Sequence, residues 1–466
     1  MKPLETRLTP EFRRVAAMML AAVLFFFTLV VLYQVMPVSW SVSLHEMTGK
    51  SVVSTQSCSS PPSNHSAASA STSTLPFIDD FLHPDRRCQA LPDPGNMLFI
   101  VKTGATEIYE KLPTQLLTTL GCSRDFIIFS DLQEQIGPYT IHDALADFNA
   151  SMKATHPEFE LYRQQQEYQR GGLDIATLKH DGQAAWKLDK YKFLHVVEKT
   201  WAQRPNVDWY VFIESDTYVV WTNLLLWLKQ LSPRDRLYMG SAAFLGSQGF
   251  GHGGSGYIIS KALMEKFVGQ NPGMASRYDE VFSDVCCGDF VLGKTLTEEL
   301  NIKIQNFWPQ VNGEKPVTLE FGSRQWCQPV VTMHHVMPRE RSAIFDFEQA
   351  RDDVTKPLLF RELSELSFPP GKMRVQEDDW DNLANKKVDL PQPSMETCRD
   401  QCLQSSDCFQ WRFSGDECHV LTEAFKLGTK KLPENTRRWF SGWNVRKIQD
   451  WRDTHPCDKP AWEKAH

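Results

Sequence analysis

The stretch that most constrains the fold is DWYVFIESDTYVVWTNLLLWLK, Asp208 to Lys229. Tyr210 to Ile213 form a short apolar run with polar flanks, the pattern of a buried strand of the kind found in parallel sheets. The run stops at Glu214-Ser215-Asp216. From Thr222, expected as an N-cap, Leu224, Leu225, Leu228 and Leu231 recur at helical spacing. The acidic triplet is therefore expected in a turn at the carboxyl end of a strand, where open α/β sheets place ligands. Two carboxylates in such a turn repel unless a positive charge lies between them, and a hard divalent cation carrying a diphosphate supplies one. A solvated acidic turn is the plainer alternative.

The segments around it fit an α/β sheet. Met97-Leu98-Phe99-Ile100-Val101 has a strand pattern, Glu107 to Leu120 a helical one, and Asp125 to Phe129 reads as a second strand ending at Ser130-Asp131. Strand, polar turn, helix, strand is the βαβ pattern of nucleotide-binding domains. Thr103 and Asp131 then lie at strand ends, either meeting a nucleotide or serving as cap and turn residues. Lys187 to Trp201 is expected to be helical. Trp186, Lys187, Lys190, Tyr191 and Lys192 form a basic and aromatic cluster suited to a phosphate or to a solvated face.

Three later motifs carry chemistry. Gly249 to Gly256 contains a formal G-x-G-x-x-G match, but Tyr257 to Ser260 looks like a strand, whereas a dinucleotide fingerprint must run into a helix. Glycines there let the backbone approach a ligand closely. Asp284, ahead of Phe290-Val291-Leu292, is either an N-cap or a carboxylate able to take a proton from a sugar hydroxyl. Val330 to Met333 is strand-like and ends in His334-His335, whose imidazoles are structural or are donors to a Mn²⁺-type cation.

The ends of the chain are of a different kind. Val15 to Met36 carries no charge and covers about 33 Å as a helix, enough to cross a bilayer. Lys2, Arg7, Arg13 and Arg14 precede it, so the positive-inside rule places the N-terminus in the cytosol and the rest across the membrane. Tyr33 to Pro37 lacks the small-x-small site of a cleaved signal peptide. Ser51 to Thr74 is rich in Ser, Thr, Ala and Pro, as in an extended stem. Asn64-His65-Ser66 and Asn149-Ala150-Ser151 are glycosylation sequons. A formal net charge of −7 over 466 residues, with no basic stripe, argues against a nucleic-acid partner.

Taken in order, WKLDKYKF, WYVFIESDTYV, HGGSGYIIS, SDVCCGD and VTMHHV resemble the fringe-like β1,3-glycosyltransferases of family 31, especially the core 1 β1,3-galactosyltransferase branch. The similarity spans about Asn96 to Met337. It implies a GT-A-type nucleotide-sugar-binding domain at 93–337 with a mostly parallel central sheet. Donor contacts are expected from Thr103, Asp131, Glu214, Gly253 and Gly254. Asp216 matches the family's Mn²⁺-binding aspartate, although Glu214 and Ser215 stand where the family usually has Asp. A late histidine, His334 or His335, completes the metal site, and Asp284 matches the catalytic base, with Ser283 replacing the acid before it. The resemblance implies inverting, Mn²⁺-dependent transfer of a hexose, galactose first, from a UDP-sugar to a glycan or glycoprotein acceptor. Anchor and stem add a single-pass Golgi membrane protein with its catalytic region lumenal. A degenerate, membrane-anchored glycan- or protein-binding protein is the alternative.

Beyond a helical linker at 338–371, ending in Phe368-Pro369-Pro370-Gly371, Cys398, Cys402, Cys408 and Cys418 resemble a PAN/apple module at 372–446. This implies a small disulfide-rich α+β domain, with a tail at 447–466. Eleven cysteines point to an oxidising compartment. Pairing within the module leaves Cys457 to return to the catalytic region, and Cys58 free or linking two chains as a homodimer.

Overall fold

The structure, a computed structural model, describes Cys88, Leu91, Asp93 and residues 95–123, 125–435 and 437–464. The chain divides into Met1–Thr72 and Ser73–His466, and every described residue belongs to the second unit. The anchor expected at 15–36, the stem run at 51–74, the Asn64 sequon and Cys58 lie outside the described residues. Among the described residues no helix is long and apolar enough to cross a membrane.

In chain order, β1 (Met97–Lys102), β2 (Phe126–Ser130), β3 (Glu134–Ile136) and β4 (Tyr139–Asp143) come first. They are followed by β5 (Trp209–Glu214), β6 (Tyr218–Val219), β7 (Tyr238–Gly240), β8 (Ala242–Leu245), β9 (Gln248–Gly251), β10 (Tyr257–Ser260) and β11 (Gln305–Asn306). All but β6, β8 and β9 join an eight-stranded sheet in the order β11-β7-β10-β5-β1-β2-β4-β3. Its centre, β5-β1-β2-β4, is parallel, and β10 and β3 run antiparallel to their neighbours. The fold is thus mixed α/β around a large, mostly parallel sheet.

The unbroken apolar runs of β1 and β5 have a direct cause. Leu98, Ile100, Tyr210 and Phe212 enter one hydrophobic core, while Phe99, Val101, Val211 and Ile213 enter a second on the opposite face. A strand covered on both sides has no position at which a polar residue is cheap.

Helices α1 (Ile108–Leu117), α2 (Gly182–Asp189), α3 (Phe193–Gln203), α4 (Trp221–Leu228), α5 (Gly288–Leu300) and α6 (Pro338–Gln349) frame this sheet. Two boundaries differ from expectation. α4 begins at Trp221, and Thr222, instead of capping it, donates its hydroxyl to Val354 O at 2.6 Å. The helix expected over 187–201 is broken by a 3₁₀ turn at Lys190–Lys192, where Lys192 pairs with Asp189 at 3.2 Å. From this turn the buried Lys192 also reaches Asp131, beyond the end of β2, at 3.6 Å, a contact that hydrophobic period does not reveal.

Strands β12 (Phe321–Gly322) and β13 (Thr332–Met333) link this region to what surrounds it. β13 pairs with β6, whereas β12 pairs with Ala424–Phe425 from the C-terminal part of the chain. There a five-stranded antiparallel sheet runs in the order Gln376–Asp378, Trp439–Trp443, Gln410–Ser414, Glu417–Leu421, Lys386–Val388. The helix Met395–Gln404, capped by Ser394, is stapled to it by Cys398–Cys418, and Cys402–Cys408 closes the loop behind. Cys457 bonds Cys327, and Cys88 bonds Cys122. Cys286 and Cys287, adjacent in the sequence, bond each other.

Candidate metal and nucleotide cleft

Parallel pairing of β1 with β5 sets Lys102 opposite Glu214 at the carboxyl ends of both strands. The Lys102 ammonium reaches Glu214 at 3.0 Å and also contacts Asp189. Thr103 and Ser215, one residue farther on, share a hydroxyl hydrogen bond of 3.0 Å. After the acidic turn, β6 pairs antiparallel with β13 through Val219↔Thr332 and Tyr218↔Met333, and Val336 N donates to Asp216 O at 3.0 Å. This ladder carries the histidine pair, distant in sequence, back to the acidic turn.

His334 Nε2 lies 3.3 Å from Asp216 and 3.6 Å from Glu214, and His335 Nδ1 lies 3.9 Å from the other Asp216 oxygen. One donor atom from each of Asp216, His334 and His335 falls within 4.8 Å of the others. The two histidines differ: His334 is buried, whereas His335 is largely exposed and held at φ 54°, a left-handed conformation few non-glycine residues adopt.

Charge is finely balanced here. Burial disfavours the charged form of His334, but hydrogen bonds to Asp216 and Glu214 prevail and raise its pKa to about 9. Burial likewise opposes ionisation of Asp216 and Glu214. His334 and His335 with Lys111 outweigh it at Asp216, and Lys102 with His334 at Glu214, so both carboxyls stay well below the usual range. Lys111 sits 3.1 Å from Asp216. Behind the turn Arg341 of α6 is buried and donates to Ser215 O at 2.6 Å, its pKa pulled down to about 10 by burial.

These groups open into a cleft of about 380 Å³ lined also by Trp186, Phe250, His252, Gly254, the Cys286–Cys287 pair and Asp289. The glycines are steric necessities: a Cβ on Gly254 would lie 2.0 Å from the His334 ring, and one on Gly253 2.8 Å from Phe193. Gly253 N donates to Asp289 at 2.8 Å, and burial pushes the Asp289 pKa up. His252 Nδ1 accepts from Ser255 N at 3.2 Å, so its neutral ring carries the proton on Nε2.

The expected site residues are distributed as follows. Glu214, Asp216, His334, His335 and Gly254 line the cleft, and Gly253 forms its backing with Asp289. Thr103 and Asp131 reach the strand ends but lie buried behind the cleft. Asp131 accepts from Ala105 N at 2.6 Å and from Gln165 at 3.3 Å, bracing the turn after β1. Asp284 is exposed in a 3₁₀ turn, within 3.3 Å of the Ser283 hydroxyl, and is not among the cleft-lining residues. In the basic cluster Lys190 and Lys192 are buried against Glu158, Asp189 and Asp131, while Lys187 is exposed. Sequence reasoning passed over Lys102, Lys111, Asp189, Asp289 and Arg341. The Gly288-Asp289 step ahead of a helix was the visible signal for Asp289.

The donor set suits a cation. Two imidazoles and one carboxylate, with Glu214 beside them, match the mixed N/O ligation of Mn²⁺-type ions. His334 Nδ1 is buried without a hydrogen-bond partner, so the ring is aimed by packing against Gly254 and presents Nε2 to the acids. The chain matches no family model.

Proposed function

We propose that this chain is a UDP-sugar-dependent inverting hexosyltransferase of the GT-A type, transferring a hexose, galactose first, to a glycan or glycoprotein hydroxyl from a Golgi-membrane location. What carries the reading is the convergence of Asp216, His334 and His335 at the carboxyl end of a parallel strand, in the mouth of a cleft. The order of motifs that resembles the fringe-like β1,3-glycosyltransferases supports it.

Asp216, His334 and His335 would hold Mn²⁺, which supplies positive charge for a departing diphosphate. The chain's own groups do the rest. Lys102 fixes Glu214 at the rim, and Arg341 fixes the backbone of Ser215, so the acidic turn is set before a ligand arrives. A carboxylate must take the proton from the acceptor hydroxyl as the new glycosidic bond forms.

Two carboxylates are candidates for that step. Asp284 has the motif position, whereas Asp289 lies in the cleft wall with its basicity raised by burial. Cleft placement favours Asp289. The experiment is Mn²⁺-dependent hydrolysis and transfer from a panel of UDP-sugars by residues 73–466, in wild type and in Asp284→Asn and Asp289→Asn. Loss of transfer with UDP affinity retained identifies the base. Hydrolysis and transfer absent with every donor would leave a binding protein as the correct reading.

A further inference from the structure

The cleft has a second, apolar side that the metal cluster does not use. Trp186, Asp189 and Lys190 recur at i, i+3 and i+4 along α2 and its continuation, and all three line the cleft. The Trp186 side chain is 53% exposed, and among the described residues its ring stacks on no other. Beside it the chain closes the Cys286–Cys287 disulfide, with Cys286 exposed at the same cleft.

The segments that carry the indole and the disulfide are braced together. A Cβ on Gly288 would lie 2.1 Å from Lys190 O, so the segment carrying the disulfide is pressed onto the end of the helix that carries Trp186. Lys190 Nζ donates to Val285 O at 3.1 Å from the other direction. The result is a braced apolar surface rimmed by the carboxylates of Asp189, Glu214, Asp216 and Asp289.

That combination selects its occupant by chemistry. Each rim carboxylate already has a partner in the chain, Asp189 and Glu214 in Lys102, Asp216 in Lys111 and Asp289 in the Gly253 amide, so the rim is charge-compensated and offers acceptor oxygens to a neutral polar ligand. A neutral pyranose suits both surface and rim, laying its C–H face on indole and sulfur while its hydroxyls donate to the acids. The position beside the donor groups makes it a surface for the acceptor. We propose that Trp186 and the Cys286–Cys287 disulfide form a stacking platform for the pyranose ring of a neutral glycan acceptor. The acceptor role rests on the transferase reading; the platform itself does not.

The test is saturation-transfer NMR on the full-length chain without added metal. The probes are methyl glycopyranosides of galactose, glucose, mannose and the two N-acetylhexosamines, with Mn²⁺-dependent UDP binding followed separately by calorimetry. At least one glycoside is expected to receive saturation at its ring C–H protons. Trp186→Ala should weaken that binding about tenfold, Trp186→Phe should restore most of it, and UDP binding should not change. Cys286→Ser with Cys287→Ser should weaken glycoside binding in the same way, with the circular dichroism spectrum retained. Glycoside binding absent from the wild type, or unchanged in Trp186→Ala, would overturn the platform even if UDP binds. Glycoside binding through Trp186 without any UDP binding would keep the platform and remove the transferase reading.

Discussion

At position 254 a side chain and the imidazole of His334 compete for the same space, and glycine resolves the conflict. The ring then packs on bare backbone with Nε2 turned toward Asp216 and Glu214. Gly254→Ala should displace His334 and weaken Mn²⁺ binding about 10–100-fold, the range for disturbing groups that orient a metal ligand, with secondary structure unchanged. Electron paramagnetic resonance of free Mn²⁺ checks this, and unaltered affinity would remove His334 from the ligand set. Lys102 belongs to the same scale. Burial opposes its charge, yet Asp189 and Glu214 outweigh it and raise its pKa. Lys102→Met would strip Asp189 and Glu214 of one cation each, leaving Lys192 and His334 as their remaining partners, an expected loss of about 1–3 kcal/mol by urea denaturation, the cost of removing one partner from a buried polar group.

Helix α6 shows how one element serves both site and stability. Arg341 near its start supports the acidic turn, and Glu348 near its end is buried against the Tyr218 hydroxyl. Burial pushes the Glu348 pKa up to about 7, the Tyr218 hydrogen bond offsetting only part of this. Between its ordinary 4.5 and about 7 the folded chain keeps a proton that the unfolded chain releases. Stability therefore falls as pH rises through that window and levels off above it. The gap corresponds to about 3 kcal/mol. Glu348→Gln should flatten the decline in urea midpoint between about pH 5 and pH 8, and an identical decline in the variant would refute the assignment. The strands, the acidic turn, the histidine pair and the cysteine-rich C-terminal part were legible because burial on two faces writes continuous apolar runs, and turn chemistry writes their ends. Sequence could show a charged, helical linker from 338 but not that its first helix sends Arg341 beneath Ser215. Nor could it place Asp289 rather than Asp284 in the cleft wall. Both depend on which helix face meets the sheet, and charges from distant segments decide that.

Over the whole described unit, the C-terminal part is built into the rest rather than hung from it. Phe409, Phe425, Leu427, Trp443 and Ile448 share one hydrophobic core with Tyr218, Met333 and Trp326, so packing runs continuously from the strands beside the site. Trp326 Nε1 donates to His455 O at 2.8 Å, Lys426 pairs with Glu320 at 2.8 Å, and Cys327–Cys457 closes a separation of 130 residues. Opening that disulfide with Cys327→Ala and Cys457→Ala should cost about 4–5 kcal/mol on the chain-entropy account. A single unfolding transition should remain, because neither part owns the shared core; two separated transitions would show independent domains. The central claim, that residues from distant strands converge to hold a metal–diphosphate pair, is tested most directly by calorimetric titration of UDP into residues 73–466 with and without Mn²⁺, in wild type and Asp216→Ala. The expected result is UDP binding that requires Mn²⁺ and is lost in Asp216→Ala. UDP binding of equal strength with and without Mn²⁺, or unchanged by the substitution, would contradict it.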